Sequence, residues 1–176
     1  GTLSLRTDDD YFGCVVRLII AQQLSSKVAS KIWSNFRDAI NDITPVVLNN
    51  ITDEQLRECG ISLAKATYIK NISQLVMEEK LDLHQLAAMN DTDVITRLTE
   101  VRGIGRWTAE MFLIFALGRL DVWSISDVGL KRSINWLYNV PMNSCESTWM
   151  RICDNWKPYR TVAALYLWEA NNRKIF

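Results

Sequence analysis

The sequence predicts an all-α protein, and three observations carry that expectation. Apolar residues recur at helical spacing along nearly the whole chain, as in YFGCVVRLIIAQQ and YRTVAALYLWEA. Alternating strand patterns are nearly absent. Helix starts and stops are legible as capping residues separated by short connections. At 176 residues the chain is expected to form one domain, or two small lobes sharing a central cleft, with ample core for independent folding. No Gly/Ser/Pro-rich linker interrupts it, so two lobes would be tightly joined, with the chain crossing between them more than once.

The elements follow in order. After the acidic start at Asp8 to Asp10, YFGCVVRLIIAQQ carries an apolar stripe, and Ser25 or Ser26 can cap KVASKIWSNFRDAI. Thr44 before Pro45 is a cap with proline in the first helical position. Thr52 and Gln55 form a capping box for DEQLREC, and Gly60 stops that helix. Ser62 starts a long amphipathic helix through about Glu79, and Asp82 caps a short one. Asp91 or Thr92 caps the helix that reaches Leu98. Past Asp127, VGLKRSINWLY, ESTWMRICDNW and YRTVAALYLWEA complete about ten helices.

Almost half the residues are apolar and seven are tryptophan, which describes a packed chain, not a disordered one. No apolar run could span a bilayer and no secretory leader opens the chain, so an intracellular protein is expected, unless a segment before Gly1 carried an address. Formal net charge is zero, which argues mildly against nucleic-acid binding. The distribution of charge argues otherwise: acidic residues gather away from Lys27, Lys31, Arg102, Arg106, Lys131 and Arg132, which flank the motifs below. Cys14, Cys59, Cys145 and Cys153 form no C-x-x-C pair, so buried free thiols are expected and a zinc site is not.

The richest segment is LTEVRGIGRWTAEMFLIFALGRLDVWSISD, from Leu98 to Asp127. Gly103 and Gly105 flank Ile104 between two helical patterns, so it reads as helix, hairpin, helix. Such a hairpin can aim backbone N–H groups and the positive end of the following helix at a phosphate. Asp127 then stands at the mouth of another helix. It is both a favoured cap and, beside a DNA-docking element, a candidate catalytic acid.

Four segments in order, IIAQQLSSKVASKIW, GISLAKATYIKNISQL, the hairpin through Asp127, and WKPYRTVAALYLW, resemble the helix-hairpin-helix DNA glycosylase superfamily. Within it, the likeness is to the 3-methyladenine DNA glycosylase II branch. The resemblance implies a two-lobed HhH-GPD fold, with the hairpin and catalytic acid in residues 92–138. One departure stands out: relatives often carry proline where this chain has Arg102, which frees the turn and adds a cation.

The resemblance also implies a set of roles. Arg102, Gly103, Ile104, Gly105 and Arg106 would bind a DNA phosphate, and the main-chain carbonyls of Thr99, Val101 and Ile104 would hold a monovalent Na+ or K+. No other cofactor is implied, and the four-cysteine iron-sulfur run of some relatives is absent from the C-terminus. Gln23, with Leu24 beside it, would wedge into the space left by a flipped nucleotide. Trp107, Met111 and Trp168 would form the base pocket, where electron-rich faces attract a purine made cationic by alkylation. Trp33, Trp136, Trp149 and Trp156 are assigned to the core.

Asp127 would stabilise the sugar cation and orient, or deprotonate, the attacking water. Asp121, six residues early against the family pattern, is assigned a structural role, and His84 none. Bifunctional relatives carry lysine where Trp107 stands, so no Schiff base, and hence no lyase step, is expected. The expected protein is a monofunctional hydrolase, acting as a monomer on duplex DNA. It would release 3-methyladenine and 7-methylguanine, with ethenoadenine as a further candidate, and so initiate base excision repair. Two alternatives remain open: a uracil or mismatch glycosylase, and a non-catalytic DNA clamp.

Overall fold

The structure, a computed structural model, describes residues 2–175. Among them are ten α-helices, two short 3-10 turns and no strand: α1 (Tyr11–Ala21), α2 (Ser26–Ala39), α3 (Pro45–Asn50), α4 (Asp53–Glu58), α5 (Leu63–Met77), α6 (Asp91–Thr99), α7 (Arg106–Phe115), α8 (Val128–Tyr138), α9 (Glu146–Cys153) and α10 (Arg160–Asn172). No described helix is long and apolar enough to cross a membrane.

The caps explain most of the boundaries. Asp10, Ser25, Thr44, Ser62 and Asp127 each accept a backbone N–H from the first turn of the helix they precede. Thr52 and Gln55 form the full reciprocal box. Two expectations are corrected. Asn90, not Asp91 or Thr92, caps α6, leaving Asp91 and Asp93 in its first turn, where the helix dipole favours carboxylates. The helix expected through Asn155 and Trp156 ends at Cys153 and tightens into a 3-10 turn over Asp154–Trp156.

The described residues divide into two compact units, one of residues 8–112 and one of residues 2–7 with 113–175, so the chain passes between them twice and the division falls within α7. In the first unit α1 is almost wholly buried, with Cys14, Val16 and Ile19 fully sealed. Ala66, Ile69 and Ile72 of α5, Leu48 of α3 and Leu56 of α4 are equally inaccessible. Each such large aliphatic side chain contributes about 1.5–3 kcal/mol by leaving water.

In the second unit, α8 packs on α10 around Leu130, Ile134, Trp149, Cys153, Ala164 and Leu167. Ser133, buried on α8, donates its hydroxyl to the carbonyls of Gly129 and Leu167 and so pins one helix to the other. The indole of Trp149 is satisfied by the Ser144 carbonyl at 3.0 Å.

The tryptophan and cysteine assignments hold in part. Trp149 is core, and Trp156 is partly buried against the same cluster. Trp33 is half-buried and stacks on Phe36. Trp136 is exposed, because it lies on the face of α8 opposite Leu130 and Ile134. Cys14, Cys59 and Cys153 are buried thiols, whereas Cys145 is exposed. The hydroxyls of Ser147 and Thr148, at 3.1 and 3.2 Å, lower the Cys145 thiol to about 7.

Candidate functional site

In the first unit, the hairpin between α6 and α7 turns on Gly103, whose φ of +94° places it in the left-handed region. The Ile104 N–H donates to the Val101 carbonyl at 3.0 Å, and the Ile104 side chain is buried, plugging the turn. A Cβ built at Gly103 would overlap the Tyr68 ring, whereas one at Gly105 would meet nothing within 4 Å. The two glycines therefore differ: Gly103 lets the turn settle on α5, and Gly105 leaves its outer side open.

Arg102 is exposed, and its carbonyl accepts from Asn71 Nδ2. Arg106 is 67% exposed, but its Nε donates at 2.8 Å to Glu110, whose side chain is 2% exposed. This pair aligns the guanidinium along α7. Glu110 is the buried partner of Arg106 that sequence reasoning misses, although its i,i+4 spacing from Arg106 in GRWTAE is a signal that could find it.

The turn after α1 carries Gln22, Gln23 and Leu24. Gln23 is exposed and has a φ of +57°, an uncommon conformation for a residue with a side chain. Leu24 is half-buried. Gln22 Nε2 donates to the Gly103 carbonyl at 2.8 Å and to Thr108 Oγ1 at 3.0 Å, joining this turn to the hairpin. The Lys65 ammonium donates to the carbonyls of Ile20 and Gln22, both at 2.8 Å, and burial lowers its pKa below the ordinary lysine value. Trp107 is half-buried. Met111, one helical turn after Trp107, is 2% exposed and lies within the stretch of α7 from Thr108 to Ile114 that is buried on all sides.

In the second unit, the loop from Gly118 to Ser126 is clipped to the start of α10. Thr161 Oγ1 donates to the Arg119 carbonyl and accepts from Val122 N–H. Arg160 grips Asp121 through Nε to Oδ1 at 2.7 Å and Nη2 to Oδ2 at 2.9 Å. Asp121 is thus structural, as its position suggests. The Arg160 hydrogen bonds hold its carboxyl below the usual carboxylate range.

The sign of the linkage follows from that depression. The pair contributes stability fully above the unfolded carboxylate value of about 3.9, and the contribution is lost as pH falls through the lower folded value. Thermal unfolding between pH 7 and pH 2 should show the acid loss shrinking in Asp121→Asn. An unchanged acid limb would mean that the pair is energetically silent.

The loop delivers Asp127 to the N-terminus of α8. Its Oδ1 accepts from Leu130 N–H at 2.9 Å and from Trp168 Nε1 at 3.1 Å. The Trp168 ring is half-buried and tilted against Phe115, with centroids 5.9 Å apart. The sequence assigns Trp168 a stacking face. Its hydrogen bond to the carboxylate has no local signal, since 41 residues separate the two.

A hairpin built on a left-handed glycine and a carboxylate capping the second helix beyond it are joined by one further finding. Residues 16–158 match the HhH-GPD superfamily of base excision DNA repair proteins. The chain belongs to that superfamily. Within it, the chain is similar to DNA-3-methyladenine glycosylase 1 of Schizosaccharomyces pombe, 32% identical over 161 residues, or 89% of this chain and 71% of the relative. A putative DNA-3-methyladenine glycosylase of Bacillus subtilis is 29% identical over 93% of this chain and 60% of its own length.

Among solved structures, a DNA-3-methyladenine glycosidase of Bacillus halodurans is 40% identical with a TM-score of 0.77, covering 96% of this chain and 79% of that one. The S. pombe 3-methyladenine DNA glycosylase in complex with abasic DNA superposes with a TM-score of 0.87 at 28% identity, covering 97% and 87%. This HhH-GPD member therefore shares its fold with a DNA-bound relative.

Proposed function

We propose that this HhH-GPD protein is a monofunctional DNA glycosylase that flips alkylated purines out of duplex DNA and hydrolyses their N-glycosidic bond. The observation that carries the reading is Asp127, held at a helix N-terminus by a backbone N–H and the Trp168 indole. Relatives named for 3-methyladenine release, similar over most of the chain, support the substrate class.

The sugar C1′ is inaccessible in a stacked duplex, so the nucleotide must leave the stack first. The hairpin N–H groups, Arg102 and the start of α7 anchor a phosphate, and Gln23 fills the vacated space. Trp168, beside Asp127, offers an aromatic face to a base whose ring carries positive charge. Each good cation–π contact is worth about 0.5–2 kcal/mol. As the bond breaks, the alkylated base departs neutral and positive charge builds on the sugar. Asp127 opposes that charge and orients the attacking water.

The carbonyls of Thr99, Val101 and Ile104 would hold a monovalent cation. Neutral oxygens suit Na+ or K+, and Val101, although it accepts from Ile104 N–H, keeps a second lone pair. Such a cation would add positive charge where the phosphate docks. With Trp107 at the position of the lyase lysine, no amine is available there for a Schiff base, so the product is an abasic site. The enzyme acts as a monomer in this reading.

Single-turnover incubation with methylated duplex DNA tests it. Release of 3-methyladenine and 7-methylguanine without strand cleavage is the expected result. Release of uracil or mismatched bases instead, or tight binding with no release of any base, would overturn the substrate class or the enzymatic reading respectively.

A further inference from the structure

Helix α5 has no part in the chemistry proposed above, yet three of its side chains attach to the elements that do. Lys65, Tyr68 and Asn71 recur every three residues, so they share one helical face. Lys65 Nζ satisfies the Ile20 and Gln22 carbonyls at the C-terminal end of α1, where a helix leaves its last acceptors unpaired and favours a cation. The Tyr68 ring fills the space a Cβ at Gly103 would need. Asn71 Nδ2 donates to the Arg102 carbonyl.

The two supported elements are also tied directly, through Gln22 Nε2 to the Gly103 carbonyl and Thr108 Oγ1. Between these fixed points stands Gln23 at positive φ, a conformation that persists only where its surroundings over-determine it.

We propose that Lys65 and Gln22 are positioning residues that lock the Gln23 turn to the phosphate-binding hairpin, so that capture of a phosphate sets the depth at which the wedge enters the duplex. The proposal rests on the glycosylase reading and on Gln23 as the wedge. Lys65 fixes the turn's backbone from below through the Gln22 carbonyl, and the Gln22 side chain fixes it laterally to the hairpin. Neither touches DNA. Both act by holding the exposed Gln23 in a conformation it would otherwise leave. Loss of either link frees the wedge while the hairpin, still seated on Tyr68 and Asn71, continues to bind phosphate.

The test compares Lys65→Met, which keeps the aliphatic stem and removes the donors, with Lys65→Arg, which restores them, and with Gln22→Leu and Gln23→Ala. Three quantities are read. They are affinity for intact duplex, affinity for duplex containing a tetrahydrofuran abasic analogue, and the fluorescence of 2-aminopurine beside that gap. The expected result for Lys65→Met and Gln22→Leu is loss of roughly tenfold to hundredfold in preference for gapped over intact DNA. The fluorescence change should fall with it, and intact-duplex affinity should stay within about threefold. Lys65→Arg should recover most of the preference.

A double variant Lys65→Met with Gln23→Ala should lose little beyond Gln23→Ala alone, because both act through one side chain. Additive losses, or equal weakening on intact and gapped duplex, would overturn the proposal and make Lys65 a general support of the fold. If Lys65→Met does not fold, Gln22→Leu decides by the same criteria. Failure of the unsubstituted protein to prefer gapped DNA or to release methylated bases would fail the glycosylase reading. Normal behaviour of the unsubstituted protein with unaltered variants would fail only this one.

Discussion

Asp127→Asn should lower single-turnover base release by about 10²–10³-fold, the cost typical of removing one preorganised electrostatic group at a reacting centre. Fold and DNA affinity should be nearly unchanged. Asparagine is as good an N-cap as aspartate, and its amide oxygen can still accept from Leu130 N–H and Trp168 Nε1. What disappears is the negative charge. Asp127→Ala is the less informative variant, since it also removes the cap, worth about 1 kcal/mol to α8. Trp168→Phe offers a graded companion: it keeps the aromatic face but leaves the carboxylate with one donor fewer, so rate should fall while stacking survives. If Asp127→Asn released bases at the native rate, Asp127 would be a cap and nothing more, and the catalytic group would have to be sought elsewhere.

Gly103→Ala should be the most damaging single methyl in the hairpin. Its φ of +94° costs an L-residue about 1–2 kcal/mol. The added carbon also overlaps Tyr68 on α5, and overpacking of this kind costs about 1–3 kcal/mol. Together these amount to about 2–5 kcal/mol, a large fraction of the stability of an ordinary domain and a Tm loss of about 5–15 °C at this chain length. Gly105→Ala is the control, with open space around its Cβ and no positive φ. It should hold Tm within a degree or two, since surface changes of this kind stay within about 0.5 kcal/mol. It should still weaken DNA binding, because the new methyl would stand on the open side where the proposed function brings a phosphate to the backbone. Equal Tm losses in both variants would contradict the division of labour between the two glycines. An unaffected DNA affinity in Gly105→Ala would move the phosphate contact away from that residue.

Local chemistry makes much of this protein legible in its amino-acid order. Thr52 with Gln55, Thr44 with Pro45, Ser62 and Asp127 all act within four residues of themselves, so their caps follow from side-chain reach alone. The helical content and the glycine hairpin are readable for the same reason, since periodicity and backbone freedom are short-range properties. The motif order carries the family and with it the role expected of Asp127. The cap of α6 is not legible in this way, because Asn90, Asp91 and Thr92 could each serve and only backbone geometry selects Asn90.

The tertiary structure decided what depends on distant segments. Trp136 leaves the core that was expected of it, because which face of α8 meets the core depends on partners that periodicity does not name. The bond from Trp168 to Asp127 spans 41 residues, those from Lys65 to Ile20 and Gln22 span 45 and 43, and that from Gln22 to Gly103 spans 81. Capping and turn chemistry act over a few residues of chain, whereas orientation of the Asp127 carboxylate or of the Gln23 turn requires rigid elements brought together from far along it. The sequence by itself therefore determined which chemical groups this protein possesses, and packing alone determined how they are held.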